Sequence, residues 1–230
     1  MSLRREGTLS SGTINVSAVI LDFGCVLSLT PELDDFEPLR AAIGVERDLM
    51  QKMYWSRRHD YDADAVDNLT YWHSAARVGG LNFSPEKIQQ LSALDAAMWN
   101  RPNHVMVEWA KVLRGHGLKT AMLSNMPRAV ATALREQAKW FGHIDHLTLS
   151  GELKLAKPGL EIYRVCLQGI GVAAESALFI DDRDENIAAA RELGMHGIVF
   201  RSVEELAPEL EPYGLADSLA EAQCRVKGAA

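Results

Sequence analysis

The sequence predicts an α/β protein built on a parallel sheet, with an all-helical segment inserted after the first strand. Three observations lead there. Short apolar runs of β-branched and large residues recur along the chain. Amphipathic stretches of helical period separate the later runs. Across residues 31–101, helical periods and loops continue without a convincing strand.

"VSAVILDF" (16–23) is the first expected strand, followed after the insert by "LKTAMLSN" (118–125), "DHLTLS" (145–150), "SALFIDD" (176–182) and "HGIVF" (196–200). Runs apolar on both faces suit strands covered by helices on either side. "NMPRAVATALREQAKWFG" (125–142), "PGLEIYRVCLQGIG" (158–171) and "DENIAAARELG" (184–194) each end at a glycine and fit crossover helices between parallel strands. In the insert, "NLTYWHSAARVGG" is expected to begin at a capping Asn68 and to end at Gly79 and Gly80. "SPEKIQQLSALDAAMW" has Ser84 at the N-cap and Pro85 at the first helical position. "NHVMVEWAKVLRGHG" returns the chain to the sheet. The domain expectation is therefore a mobile tail over residues 1–13, a core of 14–30 with 102–230, and a helical insert of 31–101.

The chain has 230 residues, 47% hydrophobic and 24% charged, which places it among ordinary globular proteins. A formal net charge of -7 argues against a general affinity for nucleic acid or anionic lipid. Cys25, Cys166 and Cys224 are odd in number and lack C-x-x-C spacing, so neither a disulfide framework nor a zinc site is indicated. The apolar stretch 14–29 contains Asn15 and Asp22 and is too short to span a bilayer. A cytoplasmic protein, monomeric or a homodimer, with no nucleic-acid or membrane partner is expected.

Four signals fall at strand ends or helix starts: Asp22, the pair Ser124 and Asn125, Lys157 before Pro158, and the pair Asp181 and Asp182. Each has an ordinary use. An aspartate ending a strand commonly serves a turn, Ser-Asn commonly caps a helix, and paired acids complement a helix dipole. Together they supply what chemistry at a phosphoryl group needs: a carboxylate nucleophile, short donors, a cation, and acids for a metal ion. The crevice beyond the carboxyl ends of parallel strands is where they would converge.

In order, "DFGCVL", "LSN", "KPGLEIY" and "FIDDRDEN" followed by "AARELGM" resemble the four motifs of the haloacid dehalogenase (HAD) superfamily of hydrolases, over residues 17–200. The likeness is strongest to the branch with a helical C1-type cap, such as sugar-1-phosphate phosphatases and the phosphatase domain of soluble epoxide hydrolases. It implies a Rossmann-like core capped by the insert, and hydrolysis of a small phosphorylated metabolite, such as a sugar phosphate, through an aspartyl-phosphate. By the same resemblance Asp22 is the nucleophile, and Ser124 with the backbone of Asn125 holds the phosphoryl oxygens. Lys157 neutralises charge, and Mg2+ is held by Asp22, Asp182 and the Gly24 carbonyl with help from Asp181.

One position departs from that pattern. Most phosphatases of the superfamily have a second aspartate two residues after the nucleophile, and here that place is Gly24, followed by Cys25 where glycine is usual. Without that acid, activated esters such as aryl or anomeric sugar phosphates should be favoured, unless a cap residue such as His59 or Asp60 substitutes. Two rival readings stay open: a metal-free 2-haloacid dehalogenase, whose relatives also lack this aspartate, and a phosphate-binding or regulatory protein with impaired turnover. "WSRRHDYDAD" (55–64) could bring Arg57, Arg58 and His59 to a substrate. Tyr54, Trp55, Tyr71, Trp72 and Trp99 are expected to form the insert's own core or a contact between copies. Lys154 competes with Lys157, which is preferred because it precedes the proline that opens the next helix.

Overall fold

The computed structural model describes residues 13–229. Of the tail expected over residues 1–13, only Thr13 falls within them. The chain enters at Ile14, whose N–H donates to the carbonyl of Pro212 at 2.8 Å, and runs into β1 (Ala18–Leu21). A single wide turn, Phe23–Leu27, follows. Five helices come next: α1 (Glu37–Ile43), α2 (Arg47–Trp55), α3 (Arg58–Asp62), α4 (Asn68–Val78) and α5 (Pro85–Trp99). The chain then alternates through α6 (His104–Gly115), β2 (Lys119–Ser124), α7 (Arg128–Gln137), β3 (His146–Leu149), α8 (Ser150–Leu153), α9 (Leu160–Ile170) and β4 (Ala177–Asp181). It closes with α10 (Asp184–Glu192), β5 (His196–Val199), α11 (Val203–Glu209) and α12 (Ala216–Ala229).

All five strands are parallel, in the order β3-β2-β1-β4-β5. Because side chains alternate across a strand, Val19, Leu21, Met122, Ile180 and Ile198 face one apolar layer, completed by α6, α7 and α12. Ala18, Ile20, Ala121, Leu123 and Phe179 face the other, completed by α9 and α10. β1 lies at the centre, paired to β2 on one side and β4 on the other, so Asp22, Ser124 and Asp181 leave the sheet side by side.

The residues between β1 and β2 have a core of their own. Leu39, Met53, Tyr54, Tyr71, Trp72 and Leu91 are fully buried there, in a cluster separate from the two that sandwich the sheet. Both connections to the sheet pass through one place. Ser28 pairs with Pro102 in an antiparallel bridge, the Leu29 N–H donates to the Arg101 carbonyl at 2.8 Å, and the Asn103 N–H donates to the Leu27 carbonyl at 2.9 Å.

Local differences from the sequence reading have physical causes. The N-cap of α4 is Asp67, not Asn68: the Asp67 carboxylate accepts from the Thr70 N–H at 2.7 Å, and Asn68 is the first helical residue. Ser84 caps α5 as expected. The helix expected to run to Gly142 stops at Gln137. Ala138 leaves helical geometry at ψ 78, and a short 3-10 turn brings Trp140 and Phe141 against Phe23, with ring centroids 6.0 and 6.1 Å from it. α11 and α12 lie beyond the last segment for which the sequence suggested an element.

Candidate active site

The turn after β1 shapes the site. Asp22 is extended, at φ -67 and ψ 161, so its carboxylate can accept the next N–H, that of Phe23, at 2.7 Å. Cys25 then adopts φ 63, the left-handed region that glycine enters without cost. Gly24 itself is at φ -65, and a Cβ built on it would meet only Trp99, at 3.5 Å. The glycine therefore has no conformational need at position 24; the strained position is 25, held there by a cysteine. Burial pushes the Cys25 thiol up to about 11, which makes it a packed residue rather than a nucleophile.

Lys157 is only 3% exposed, and its ammonium lies 2.8 Å from Asp22 Oδ1 and 2.6 Å from Asp181 Oδ2. Burial opposes its charge, but the two carboxylates overcome that and leave its pKa above the ordinary value. Asn125 holds the lysine's backbone from both sides: its Nδ2 donates to the Lys157 carbonyl at 2.9 Å, and its Oδ1 accepts from the Lys157 N–H at 2.8 Å. The amide side chain of Asn125 is thus committed to Lys157. The neighbouring Ser124 hydroxyl has only a long contact, 3.5 Å, to the Asn125 carbonyl.

The paired acids divide their work. Asp181 is fully buried; besides Lys157 it accepts from the Arg183 N–H at 2.9 Å and from Asn186 Nδ2 at 2.9 and 3.0 Å. Asp182 is half-buried and borders the cavity. Asp22, Asp181 and Asp182 bring carboxylate oxygens within 4.8 Å of one another. Burial, and then the nearby Asp181, raises Asp182 above the usual carboxylate range. Burial also raises Asp22, against the pull of Lys157. Three crowded hard-oxygen donors with one ammionium-bearing neighbour suit a small divalent cation, which would relieve that repulsion.

A cavity of about 270 Å3 opens over these groups, bordered from the sheet side by Asp22, Gly24, Ser124, Asn125, Lys157 and Asp182. From the insert come Trp55, Arg58, Asp62 and Trp99. Sequence reasoning missed Asp62, and it missed Asn186, whose place five residues after Asp181 on the following helix was the available signal. The expected aromatic core divides: Tyr54, Tyr71 and Trp72 are buried in the insert, while Trp55, 51% exposed, and the half-buried Trp99 wall the cavity. His59 is exposed and Arg57 pairs with Asp60 at 2.7 Å; none of these three borders the cavity, so the substitute acids expected there are misplaced. Lys154 lies instead on a larger open groove of about 980 Å3 between the insert and α7. That groove is larger than the cavity over the strand ends but holds none of the strand-end acids.

Residues 18–194 match the haloacid dehalogenase-like hydrolase family, and the chain belongs to it. It is 33% identical over 98 residues to sesquiterpene phosphatase astK of Aspergillus oryzae, a match covering 43% of this chain and 50% of that protein. It is 27% identical over 132 residues to bifunctional epoxide hydrolase 2 of Sus scrofa, covering 55% and 24%. These matches span half or less of the relatives' own lengths. Among solved structures, a HAD family enzyme of Bacteroides thetaiotaomicron in complex with magnesium and inorganic phosphate superposes with a TM-score of 0.62 at 20% identity, over 84% of this chain and 99% of that one. L-2-haloacid dehalogenase from Xanthobacter autotrophicus superposes at 0.61 and 19% identity, over 85% and 82%. The shared fold is the five-stranded parallel sheet with flanking helices. No helix among the described residues is long and apolar enough to cross a membrane.

Proposed function

We propose that this chain is a Mg2+-dependent phosphatase that hydrolyses a small phosphorylated metabolite through an aspartyl-phosphate on Asp22, with residues 31–101 acting as a cap over the site. The observation that carries the reading is Lys157, buried between Asp22 and Asp181 at the mouth of a cavity that also presents Asp182 and the free Ser124 hydroxyl. The A. oryzae phosphatase and the magnesium and phosphate complex among the relatives point the same way.

Asp22 Oδ1 is occupied by the Phe23 N–H and by Lys157, which leaves Oδ2 as the attacking oxygen. Attack forms the bond from Oδ2 to phosphorus and breaks the bond to the leaving oxygen; water then attacks the same phosphorus and frees Asp22 and phosphate. Ser124 Oγ and the Asn125 N–H would donate to the phosphoryl oxygens while Lys157 offsets their charge. Mg2+, held by Asp22, Asp182 and the Gly24 carbonyl with Asp181 behind them, would supply the charge that lets a dianion approach these acids. A cavity of about 270 Å3 supports a small substrate.

The absence of a side chain at Gly24 favours a second reading, displacement of halide from a 2-haloacid. Asp182 at the cavity opposes it, since an unneutralised acid repels a carboxylate substrate. A panel of phosphorylated metabolites and 2-chloropropionate, assayed with Mg2+ and with excess chelator, decides among the readings. Phosphate release that requires Mg2+ is expected. Chloride release that persists in chelator would overturn the phosphatase reading, and binding of phosphate and Mg2+ without product would indicate a protein impaired in turnover.

A further inference from the structure

Breaking the ester bond of an alkyl phosphate leaves an alkoxide that needs a proton, and Gly24 has none to give. The titratable groups bordering the cavity are few. Asp22 is the proposed nucleophile and Asp182 a proposed metal ligand. Lys157 is held charged by two carboxylates. Guanidinium groups do not act as proton donors in proteins, which sets aside Arg58 and Arg183, and the Cys25 thiol is a poor acid in its buried place. Asp62 remains.

Asp62 ends α3, and its carbonyl accepts from the Ser150 hydroxyl at 2.6 Å. The same Ser150 oxygen accepts from the Met126 N–H at 2.7 Å. One hydroxyl therefore fastens Asp62 to the loop that carries Ser124 and Asn125. Asp62 Oδ1 accepts from Arg58 Nε at 2.7 Å, which orients the carboxyl group. Arg58 is shared: its Nη1 donates to Asp95 at 2.8 and 2.9 Å and to the Tyr54 hydroxyl. Asp95 is fully buried on α5 and shares the guanidinium with Asp62, so the Asp62 carboxylate is only partly compensated.

We propose that Asp62 is the general acid and base of the reaction, supplied by the helical insert in place of the side chain missing at Gly24. It gives its proton to the leaving oxygen as the Asp22–phosphorus bond forms. As a carboxylate it then takes a proton from the water that attacks phosphorus, and the cycle closes with Asp62 protonated again. The proposal rests on the phosphatase reading. Burial pushes the Asp62 carboxyl up to about 6, against Arg58 and with a push from Asp95, which suits a group that must act in both forms near neutrality. The charged groups facing it are Arg58, His59 and Asp95 from the insert, with Asp22, Lys157, Asp182 and Arg183 across the cavity.

The test is single-turnover hydrolysis, with Mg2+, of a series of phosphate esters from 2,4-dinitrophenyl to simple alkyl. Four proteins are compared: wild type, Asp62→Asn, Gly24→Asp and the double variant, each checked for folding by thermal melting. Wild type should show a shallow dependence of rate on leaving-group pKa. Asp62→Asn should lose on the order of 10² to 10⁴ in rate on alkyl esters and little on dinitrophenyl phosphate. Gly24→Asp should restore alkyl hydrolysis to Asp62→Asn, because a side chain at 24 has room and ordinary backbone angles. A uniform loss across the series, or a steep dependence already present in wild type, overturns the proposal while leaving the phosphatase reading intact. No phosphate release from any ester by wild type overturns both. Wild type also carries a test that needs no variant. The ratio of alkyl to aryl rates should fall as pH rises through 6, whereas ionisation of the substrates alone would make it climb; a flat or climbing ratio overturns the proposal.

Discussion

Removing Lys157 should cost both stability and turnover, and the structure allows the size to be worked out. The ammonium is buried and within 2.8 Å of Asp22 and 2.6 Å of Asp181. Lys157→Ala leaves their carboxylates facing each other, with Asp182 alongside, in the same buried corner. Breaking a buried ion pair from one side costs about 3–5 kcal/mol. In a chain of this length each kcal/mol shifts the melting temperature by roughly 2–4 °C, so a drop of about 10 °C is expected. The loss should depend on pH. The Asp22 carboxyl is already raised by burial, and without the ammonium the main pull against that rise is gone. The folded variant then binds more protons than its unfolded chain, so it regains stability as pH falls. Thermal melts of Lys157→Ala and wild type in chelator, at pH 8 and pH 5, should show the wider gap at pH 8. Lys154→Ala is the control, because Lys154 lies on the groove beside α7 and not at the acids. Equal melting temperatures for Lys157→Ala and wild type at pH 8, a gap that does not narrow at pH 5, or turnover lost in Lys154→Ala and kept in Lys157→Ala would refute the reasoning.

Asp22→Asn should fold and lose turnover, since its amide oxygen can still accept from the Phe23 N–H but the group cannot attack phosphorus; residual phosphate release at the wild-type rate would exclude Asp22 as nucleophile. Gly151→Ala should lower kcat more than it raises KM, because a Cβ there would come within 2.3 Å of the Arg128 backbone nitrogen and 2.6 Å of the Met126 carbonyl, displacing the loop that follows Ser124 and Asn125; unchanged steady-state constants would show that the loop tolerates the shift. Asp62→Asn should melt higher than wild type at pH 7 and not at pH 4. Ionising a carboxyl whose folded pKa is raised from 3.8 to about 6 costs the folded state as pH climbs through that window, up to about 3 kcal/mol, and the amide avoids the cost; a melting difference independent of pH would contradict this.

The sheet and the residues at its edge could be read in the chain itself, because a parallel strand writes its burial as a continuous apolar run and its end as the first polar residue. Asp22, Ser124 and Asp181 announce themselves in that way, and side-by-side pairing of β2, β1 and β4 is enough to bring them together. Lys157 was distinguishable from Lys154 only through the proline after it. What the chain could not express is which of two adjacent acids faces outward: Asp181 turns in to Lys157 and Asn186 while Asp182 borders the cavity, a choice made where β4 gives way to α10. Nor could it place the insert. On a helix, period marks the buried stripe, and Tyr54, Tyr71 and Trp72 obey it, but the face that meets the core depends on how the whole helical unit is seated. Trp55, Arg58 and Asp62 reach the cavity through the seating fixed by the Ser28–Pro102 bridge and the Ser150 hydroxyl, contacts between residues 74 and 88 positions apart in the chain. The candidate groups at the strand ends are therefore local and legible, whereas what the insert brings to the cavity is set by long-range docking that no sequence period records.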